Sequence, residues 1–379
     1  MKYVSEFRDP AMAQALAQAI AEAAQADRHY RFMEFCGGHT HALARYGVLD
    51  LLPPQVQMIH GPGCPVCVLP IGRIDMAIAL AQRPGLILAS YGDTLRVPAS
   101  KGLSLMKARA LGADVRVVYA VDDALQLARQ HPEREVVFFA IGFETTTPAT
   151  AVAIQIAQRE GLRNFSVLCN HVLTPAAMHA ILDQPEPVAL DGLVGPAHVS
   201  TIIGSQPYEV FAERHHLPVV VAGFEPLDVM QAILMLIRQV NEGRAQVENQ
   251  FTRAVRREGN LKAMRLVNEV FTVREAFDWR GLGAIPHSAL ALREAFASLD
   301  AERRFELTPL SVPDHPKCEC GPILRGHKRP QDCVLFGNVC TPDQPVGACM
   351  VSSEGACAAH YQYGRHKMPH QQAVAKVSA

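Results

Sequence analysis

The chain has 379 residues, of which 49% are hydrophobic and 19% charged, and its formal net charge is −1. This composition predicts a folded globular protein and excludes an intrinsically disordered one. A charge so close to zero provides no overall attraction to nucleic acid or to an anionic membrane, so we expect neither as a partner.

The first ten residues carry charges where a secretory signal peptide would have its apolar core. No uncharged apolar run reaches the ~20 residues that a membrane-spanning helix needs. We therefore expect a soluble, cytoplasmic protein whose cysteines are kept reduced.

Along the chain, short apolar runs alternate with helical patterns. Residues 9–28 predict an amphipathic helix. The predicted strands that follow are Arg31–Cys36, Val56–His60, Leu86–Tyr91, Val115–Tyr119, Val136–Ile141, Phe165–Asn170, Gly192–Val194 and Pro218–Ala222. The predicted helices include Ile74–Gln82, Asp122–Gln130, Thr150–Glu160, Pro175–Asp183, Leu227–Val240 and Asn260–Phe271. This alternation is typical of α/β proteins with parallel sheets and helices on both faces.

An internal repetition favours two sheets over one large sheet. Val137–Glu144 and Val219–Glu225 each run a buried strand into Gly-Phe-Glu. The predicted domains are an α/β domain over 1–132, a second α/β domain over 133–230, and a C-terminal helical and cysteine-rich domain over 231–379. Because residues 311–350 are dense in Pro, Gly and Cys, we expect a metal ion or cluster to organise that segment.

The ten cysteines fall into groups, and the first group lies near the amino terminus. Cys36 ends a predicted strand and is followed by two glycines that allow a turn into a helix. A thiol at a helix N-terminus is expected to have a lowered pKa, and Glu34 projects to the same side of the strand. His39 and His41 are candidate proton donors or metal ligands. The alternative is a buried structural cysteine beside two surface histidines.

Cys64 and Cys67 form a Cys-Pro-Val-Cys sequence after Gly61-Pro62-Gly63. This spacing suits a reversible disulfide or two ligands to one soft metal ion. A helix predicted to begin at about Val68 would stabilise a thiolate there. An unreactive pair of reduced thiols is the alternative.

Six further cysteines lie beyond residue 317, whereas Cys169 stands alone in the middle of the chain. Four thiolates can hold a structural zinc ion or an iron–sulfur cluster. Zinc ribbons usually carry paired Cys-x-x-Cys sequences, which this segment lacks. The irregular spacing of Cys320, Cys333, Cys340 and Cys357 therefore favours a cluster over zinc.

These sequences together resemble the HypD family of nickel–iron hydrogenase maturation factors. The resemblance runs nearly from end to end and in the order of the family. The matching segments are CGGHTH at 36–41, GPGCPVC at 61–67, YGDTLRVP at 91–98, GFETTTP at 142–148, VAGFEPLD at 221–228, WRGLG at 279–283, and LFGNVCTP with PVGACMVSSEGACAA at 335–359.

The resemblance implies an α/β fold, a C-terminal [4Fe-4S] cluster, and assembly of the Fe(CN)2(CO) unit of the hydrogenase. It implies that Cys36 holds the iron together with a cysteine of a HypC-type small chaperone. A HypE-type partner would donate cyanide from a C-terminal thiocyanate, and the hydrogenase large subunit would be served indirectly. Cys64 and Cys67 would be the redox pair close to the iron.

The resemblance also assigns the cluster ligands. Cys320, Cys333, Cys340 and Cys357 match the ligand pattern, which Cys318 and Cys349 flank. Cysteine thiolates suit a low-spin iron with cyanide and carbonyl ligands better than carboxylates do. Removing sulfur from a thiocyanate consumes two electrons, which a dithiol supplies together and a cluster can restore singly.

Two other functions remain open from the sequence. One is an iron–sulfur-dependent thiol–disulfide oxidoreductase that acts on protein substrates, and the other is a zinc-stabilised binding module. Cys36 with its neighbouring histidines fits only the scaffold function. Candidate polar residues at strand ends, each equally consistent with a structural role, are Asp93, Arg96, Glu144, His198 and Glu225.

Overall fold

A computed structural model describes residues 5–308 and 310–364. The strands are β1 (Tyr30–Glu34), β2 (Val56–His60), β3 (Leu86–Ser90), β4 (Val115–Val117), β5 (Glu135–Gly142), β6 (Phe165–His171), β7 (Gly192–Gly195), β8 (Val219–Val221), β9 (Val247–Asn249), β10 (Phe271–Val273), β11 (Ala276–Trp279), β12 (Gly283–Pro286) and β13 (Leu290–Leu292). The α-helices are α1 (Pro10–Ala23), α2 (Gly37–Arg45), α3 (Val48–Leu51), α4 (Ile71–Ala81), α5 (Leu105–Ala110), α6 (Val121–Gln130), α7 (Thr147–Glu160), α8 (Thr174–Leu182), α9 (Ala197–Ile203), α10 (Glu209–His215), α11 (Pro226–Asn241), α12 (Leu261–Val270), α13 (Ala301–Arg304), α14 (Cys320–Leu324) and α15 (Ala356–Gly364). Short 3₁₀ helices lie at Ser5–Arg8, Gly92–Arg96, Ser100–Gly102, Gln206–Tyr208, Glu294–Leu299, Pro330–Asp332 and Ala348–Met350.

Two parallel sheets form the framework. Sheet one has the strand order β2-β1-β7-β8-β9, and sheet two has the order β4-β3-β5-β6. All neighbouring strands within both sheets are parallel. Two small antiparallel pairs, β10 with β13 and β11 with β12, complete the described strands. The predicted α/β fold with parallel sheets and helices is confirmed, as are all eight predicted strands.

The two sheets are interleaved along the chain rather than consecutive. All four strands of sheet two lie in sequence between β2 and β7 of sheet one. A division at residue 132 would separate β4 from β5, which belong to the same sheet, and would also separate β2 from β7. The boundary at residue 132 was predicted from the internal repetition and from the helix end at His131-Pro132, without knowledge of the strand order, and it stays a prediction.

Apolar side chains from the cysteine-rich segment share one core with sheet two. Ile323, Leu324 and Met350 pack in the same cluster as Val137 and Phe139 of β5. The segment thus packs on the core of sheet two, and the metal ion or cluster expected to organise it stays a prediction. The segment has few apolar positions and they are not periodic, but several of them are buried in this core.

Sheet one has a topological switch point between β1 and β7. The chain continues from β1 to β2 on one side, and from β7 to β8 and β9 on the other. In open α/β sheets, ligands bind at the carboxyl ends of the strands at such a point. The residues that follow β1, β2, β7 and β8 are therefore the first place to look for a site. In the described part of the chain, no helix is long and apolar enough to span a membrane.

A buried ion network joins the helices around sheet two. Glu302 in α13 accepts hydrogen bonds from Arg73 of α4, at 2.7 Å, and from Arg274, whose Nη1 lies 3.2 Å from Oε2. Burial by itself would raise the pKa of Glu302, but the two guanidinium groups outweigh it and lower the pKa from 4.5 to about 2. The carboxylate therefore stabilises the fold above pH 4.5, and this contribution is lost as the pH falls toward 2.

We expect Glu302→Gln to lower the free energy of unfolding by about 3 kcal/mol at pH 7, because two largely buried guanidinium groups lose their shared charge partner. Urea denaturation measures this loss, which should shrink as the pH falls from about 4.5 toward 2. Glu294→Gln is the control, since Glu294 is 82% exposed in its pair with Arg303 and should matter little. Equal effects of the two changes would refute a special role for the buried network.

Candidate functional site

Cys36 lies at the carboxyl end of β1, at the switch point of sheet one. It is the N-cap residue of α2, with extended backbone angles (φ −145°, ψ 124°), so the chain turns into the helix directly after it. Its Sγ lies 3.9 Å from Nδ1 of His198, which follows β7. The ring of Phe224, after β8, packs on His198 with centroids 4.0 Å apart. Three adjacent strands thus place these side chains together.

The thiol of Cys36 is buried, with 5% of the residue exposed. Burial raises its pKa to about 12, and the carboxylates of Glu354 and Glu34 add to the effect. We expected the N-terminus of α2 to lower this pKa, and that expectation was wrong. The removal of water and the two nearby carboxylates outweigh the helix dipole, which acts only over the first turn.

The loop that carries the Cys-x-x-Cys sequence packs against the backbone of Cys36. The carbonyl of Gly63 accepts a hydrogen bond from the amide of Gly37 at 2.9 Å. A Cβ atom at Gly63 would lie 2.5–2.6 Å from the N, Cα and C atoms of Cys36. Only glycine fits at this position, because backbone atoms cannot rotate out of the way as a side chain can.

The histidines after Cys36 have separate surroundings. Nε2 of His39 lies 3.0 Å from the carbonyl of Ala222 and 3.1 Å from that of Gly223, so this ring donates to the loop after β8. Burial lowers the pKa of His39, which keeps the ring neutral. His41 faces the other way, with Nδ1 3.3 Å from the carbonyl of Ser353 and its ring edge-on to Tyr363.

A hydrogen-bonded chain of side chains leads from Cys36 toward the C-terminal helix. The carboxylate of Glu34, fully buried, accepts from the amide of Cys36 at 2.9 Å and from Thr40. The same carboxylate lies 2.8 Å from Nδ1 of His60, and Nε2 of His60 lies 3.1 Å from Nε2 of His360. The buried carboxyl group of Glu34 is thus hydrogen-bonded on both oxygens, as buried polar groups generally are.

Cys64 and Cys67 lie in the turn before α4, and both are buried. The amide of Cys67 donates to the Sγ of Cys64 at 3.3 Å. The predicted helix start at Val68 was wrong: α4 begins at Ile71, with Pro70 as its N-cap. The two thiols therefore do not lie at the helix N-terminus, and burial raises the pKa of Cys67 well above its ordinary value.

Cys349 connects this pair to the other C-terminal cysteines. Its thiol is hydrogen-bonded to Cys320 and to Cys67, and these bonds lower its pKa to about 6. Cys349 thus lies in a series of neighbouring thiols that runs Cys64, Cys67, Cys349, Cys320. All ten cysteines are free, so every link in this series is non-covalent.

A small cavity beside Cys320 is lined by five cysteines together with apolar side chains. Its cysteines are Cys318, Cys320, Cys333, Cys340 and Cys357. A Cβ atom at Gly347 would lie 2.5 Å from the Sγ of Cys320 and 2.6 Å from that of Cys318, so glycine leaves this side open. Five cysteines around one apolar cavity are a donor set that an iron–sulfur cluster could use, and the cluster stays a prediction.

The strand-end residues named in the sequence analysis lie in different places and make different contacts. Arg96 donates to the carbonyls of Val351 and Pro342, and so holds the cysteine-rich segment against sheet two. Glu225 pairs with Arg8. Glu144 accepts from the amide and hydroxyl of Thr174 and lines a separate pocket. In the described structure only His198 of this set contacts Cys36.

Two residues near the thiols were missed by the sequence analysis. Cys349 was visible in the sequence, but spacing alone gives no reason to place it between Cys67 and Cys320. Glu354 lies close to Cys36 because α15 packs against α2. The only signal for Glu354 was its position within the PVGACMVSSEGACAA segment.

Comparison with known proteins gives one consistent family. Residues 11–364 match the family model HypD, described as the hydrogenase formation hypA family. The chain is 66% identical to the hydrogenase expression/formation protein HupD of Azotobacter chroococcum mcd 1 over 371 residues, or 97% of this chain and 98% of that protein. It is 65% identical to the hydrogenase maturation factor HypD of Azotobacter vinelandii over 371 residues, with the same coverage. It is 46% identical to HypD of Escherichia coli (strain K12) over 368 residues, or 96% of this chain and 98% of that protein.

We expect Gly63→Ala to lower the free energy of unfolding by about 1–3 kcal/mol, because the added methyl group forces the loop away from Cys36. Chemical denaturation measures the loss, and the rate of alkylation of Cys36 should rise as the thiol becomes exposed. Gly92→Ala is the control, since the nearest atom to its Cβ would be 3.7 Å away. If Gly63→Ala were as mild as the control, the close contact between loop and Cys36 would be wrong.

Proposed function

Because this chain belongs to the HypD family of hydrogenase maturation factors, we propose that it is the scaffold on which the Fe(CN)2(CO) unit of a nickel–iron hydrogenase is assembled. The observation that carries the proposal is the packing of the Cys-x-x-Cys loop on the backbone of Cys36. A metal-binding thiol and a two-electron donor are thereby held side by side.

In this proposal the iron is the cargo, and Cys36 holds it together with a cysteine of a HypC-type chaperone. A thiolate suits iron that carries cyanide and carbonyl ligands. The apolar ring of Phe224 packs on His198 beside it. His198 is the side chain placed to hydrogen-bond a ligand of the iron, since its Nδ1 is 3.9 Å from the sulfur of Cys36. Burial lowers the pKa of His198 to about 4, so it acts as a neutral imidazole.

Cys64 and Cys67 supply the electrons for cyanide transfer. A HypE-type partner would present a thiocyanate, R–S–CN, whose S–C bond breaks with two electrons to give a thiol and cyanide. Oxidation of the two cysteines to a disulfide releases two electrons and two protons. One proton goes to the departing sulfur, the cyanide binds iron, and the second proton leaves to solvent.

Four of the five cysteines around the C-terminal cavity would hold a [4Fe-4S] cluster. When bound, a cluster there supplies single electrons. Cys320, Cys333, Cys340 and Cys357 remain our proposed ligands, and Cys318 lies on the same cavity. Cys349 does not line the cavity; its hydrogen bonds to Cys320 and Cys67 place it between the cavity and the redox pair. It is therefore the cysteine that lies between the proposed cluster ligands and the proposed redox pair.

The scaffold function is tested by infrared spectroscopy of the chain purified anaerobically with its HypC-type chaperone. We expect the wild type to show stretching bands of bound cyanide and carbonyl, and Cys36→Ala to lack them. Cys169→Ala is the control, because this buried thiol only donates to the carbonyl of Leu290. Bands that persist in Cys36→Ala would exclude Cys36 as the iron ligand, and wild-type protein without bands would favour a thiol–disulfide oxidoreductase.

The cluster assignment is tested by a pair of variants in one segment. Cys340→Ala should lose the visible absorption and the iron of an iron–sulfur cluster, because Cys340 lines the cavity. Cys349→Ala should retain both, because Cys349 is equally buried but lies outside it. Loss of the cluster in both variants, or in neither, would contradict this division of roles.

A further inference from the structure

Three side chains near the carboxyl-terminal ends of α8 and α10 form a cluster that the assembly function does not use. His179 lies in α8, Asp183 follows the end of that helix, and His215 is the last residue of α10. Buried Met178, Ile181 and Phe211 anchor the two helices in one core with β7 and β8 of sheet one. The cluster therefore stands on rigid elements rather than on a loop.

The ligand atoms of the cluster are spaced for one metal ion. Nδ1 of His179 lies 3.9 Å from Oδ2 of Asp183, and Nε2 of His215 lies 3.6 Å from Oδ1. Each of the three residues offers a ligand atom within 4.8 Å of the others. Zinc bonds of about 2.0–2.2 Å in tetrahedral geometry separate ligand atoms by about 3.4 Å. The two imidazole–carboxylate distances exceed this value by a few tenths of an ångström. Rotation of the partly exposed side chains would bring all three ligand atoms, which lie within 4.8 Å of one another, to the same spacing.

One of the three ligand atoms makes no hydrogen bond. Nε2 of His215 is buried and makes no hydrogen bond, although buried polar atoms are nearly always paired. The ring of Phe211 lies 4.5 Å from the ring of His179 and 6.4 Å from that of His215, and so holds both imidazoles in place.

A competing cation is present at the cluster. Nη2 of Arg214 lies 3.3 Å from Oδ1 of Asp183, but 60% of the Arg214 side chain is exposed. An ion pair so open to solvent is weak, and the long side chain can leave without disturbing the core. Arg214 therefore tunes the affinity of Asp183 for another cation rather than filling the site.

Access to the cluster is through a pocket of about 680 Å³ next to α8. His179 and Asp183 line it, together with mainly apolar side chains and Glu144. Burial raises the pKa of Glu144 to about 7. Three protein ligands leave the fourth position of a tetrahedral ion open for water or a small molecule from this pocket.

We propose that His179, Asp183 and His215 form a binding site for a divalent transition-metal ion of the Zn²⁺ class, separate from all ten cysteines. Two imidazoles and one carboxylate are a common ligand set for such ions. The site does not depend on the assembly function proposed above, since none of its residues contacts Cys36 in the described structure.

Binding is measured on the full chain, purified anaerobically with its cysteine sites filled with iron. Titration with Zn²⁺ should show one equivalent that is lost, or weakened at least tenfold, in His215→Ala and in Asp183→Asn. Titration with Co²⁺ should give a spectrum without the intense sulfur charge-transfer absorption of thiolate sites. His287→Asn is the matched control, because His287 lines the same pocket outside the cluster and Asn tolerates its positive φ of 51°.

Arg214→Gln tests the same proposal without removing a ligand. It should bind Zn²⁺ more tightly than the wild type, because the competing guanidinium is gone, whereas a purely structural cluster would bind no ion in either protein. This variant decides the question even if His215→Ala fails to fold. Equal Zn²⁺ stoichiometry and affinity in the wild type, Asp183→Asn and Arg214→Gln would overturn the proposal.

Discussion

The close contact between the backbones of Gly63 and Cys36 is the constraint on which the rest of the site depends. It follows from the register of β1 and β2, in which Glu34 pairs with His60. The residues beyond that pair leave the sheet side by side, and the amide of Gly37 bonds to the carbonyl of Gly63. One residue of slippage would turn the side chains of β1 to the opposite face and separate Cys36 from the loop that carries Cys64 and Cys67.

The insertion of sheet two between β2 and β7 explains how the remaining thiols reach this point. The C-terminal segment packs on the core of sheet two, where Arg96 binds two of its carbonyls, and α15 packs against α2. Cys349 and Cys67 are thus hydrogen-bonded although 282 positions (349 − 67) separate them along the chain. The same apolar surroundings that bring the thiols together also raise the pKa of Cys36 and Cys67.

Much of this arrangement could be predicted from the sequence, and the failures have physical causes. The strands were found because buried parallel strands are short apolar runs. The nearness of Cys36 to Cys64 and Cys67 was expected only from the resemblance to the HypD family. Strand order was not predictable, since the pattern contains no information about neighbours. The predicted direction of the pKa shift of Cys36 was wrong. A position at a helix end can be inferred from the neighbouring sequence, whereas burial depends on residues distant in sequence, such as Glu354 and Phe224.

The cysteine-rich segment shows why composition alone misleads about what holds a structure together. Its density of Pro, Gly and Cys suggested that a cluster must organise it, as metals organise small domains without a core. Ile323, Leu324 and Met350 are fully buried against sheet two, so the segment packs on the core of that sheet rather than forming one of its own. Its cysteines are therefore positioned by packing against sheet two, through side chains that are distant from them in composition and pattern but adjacent in the core.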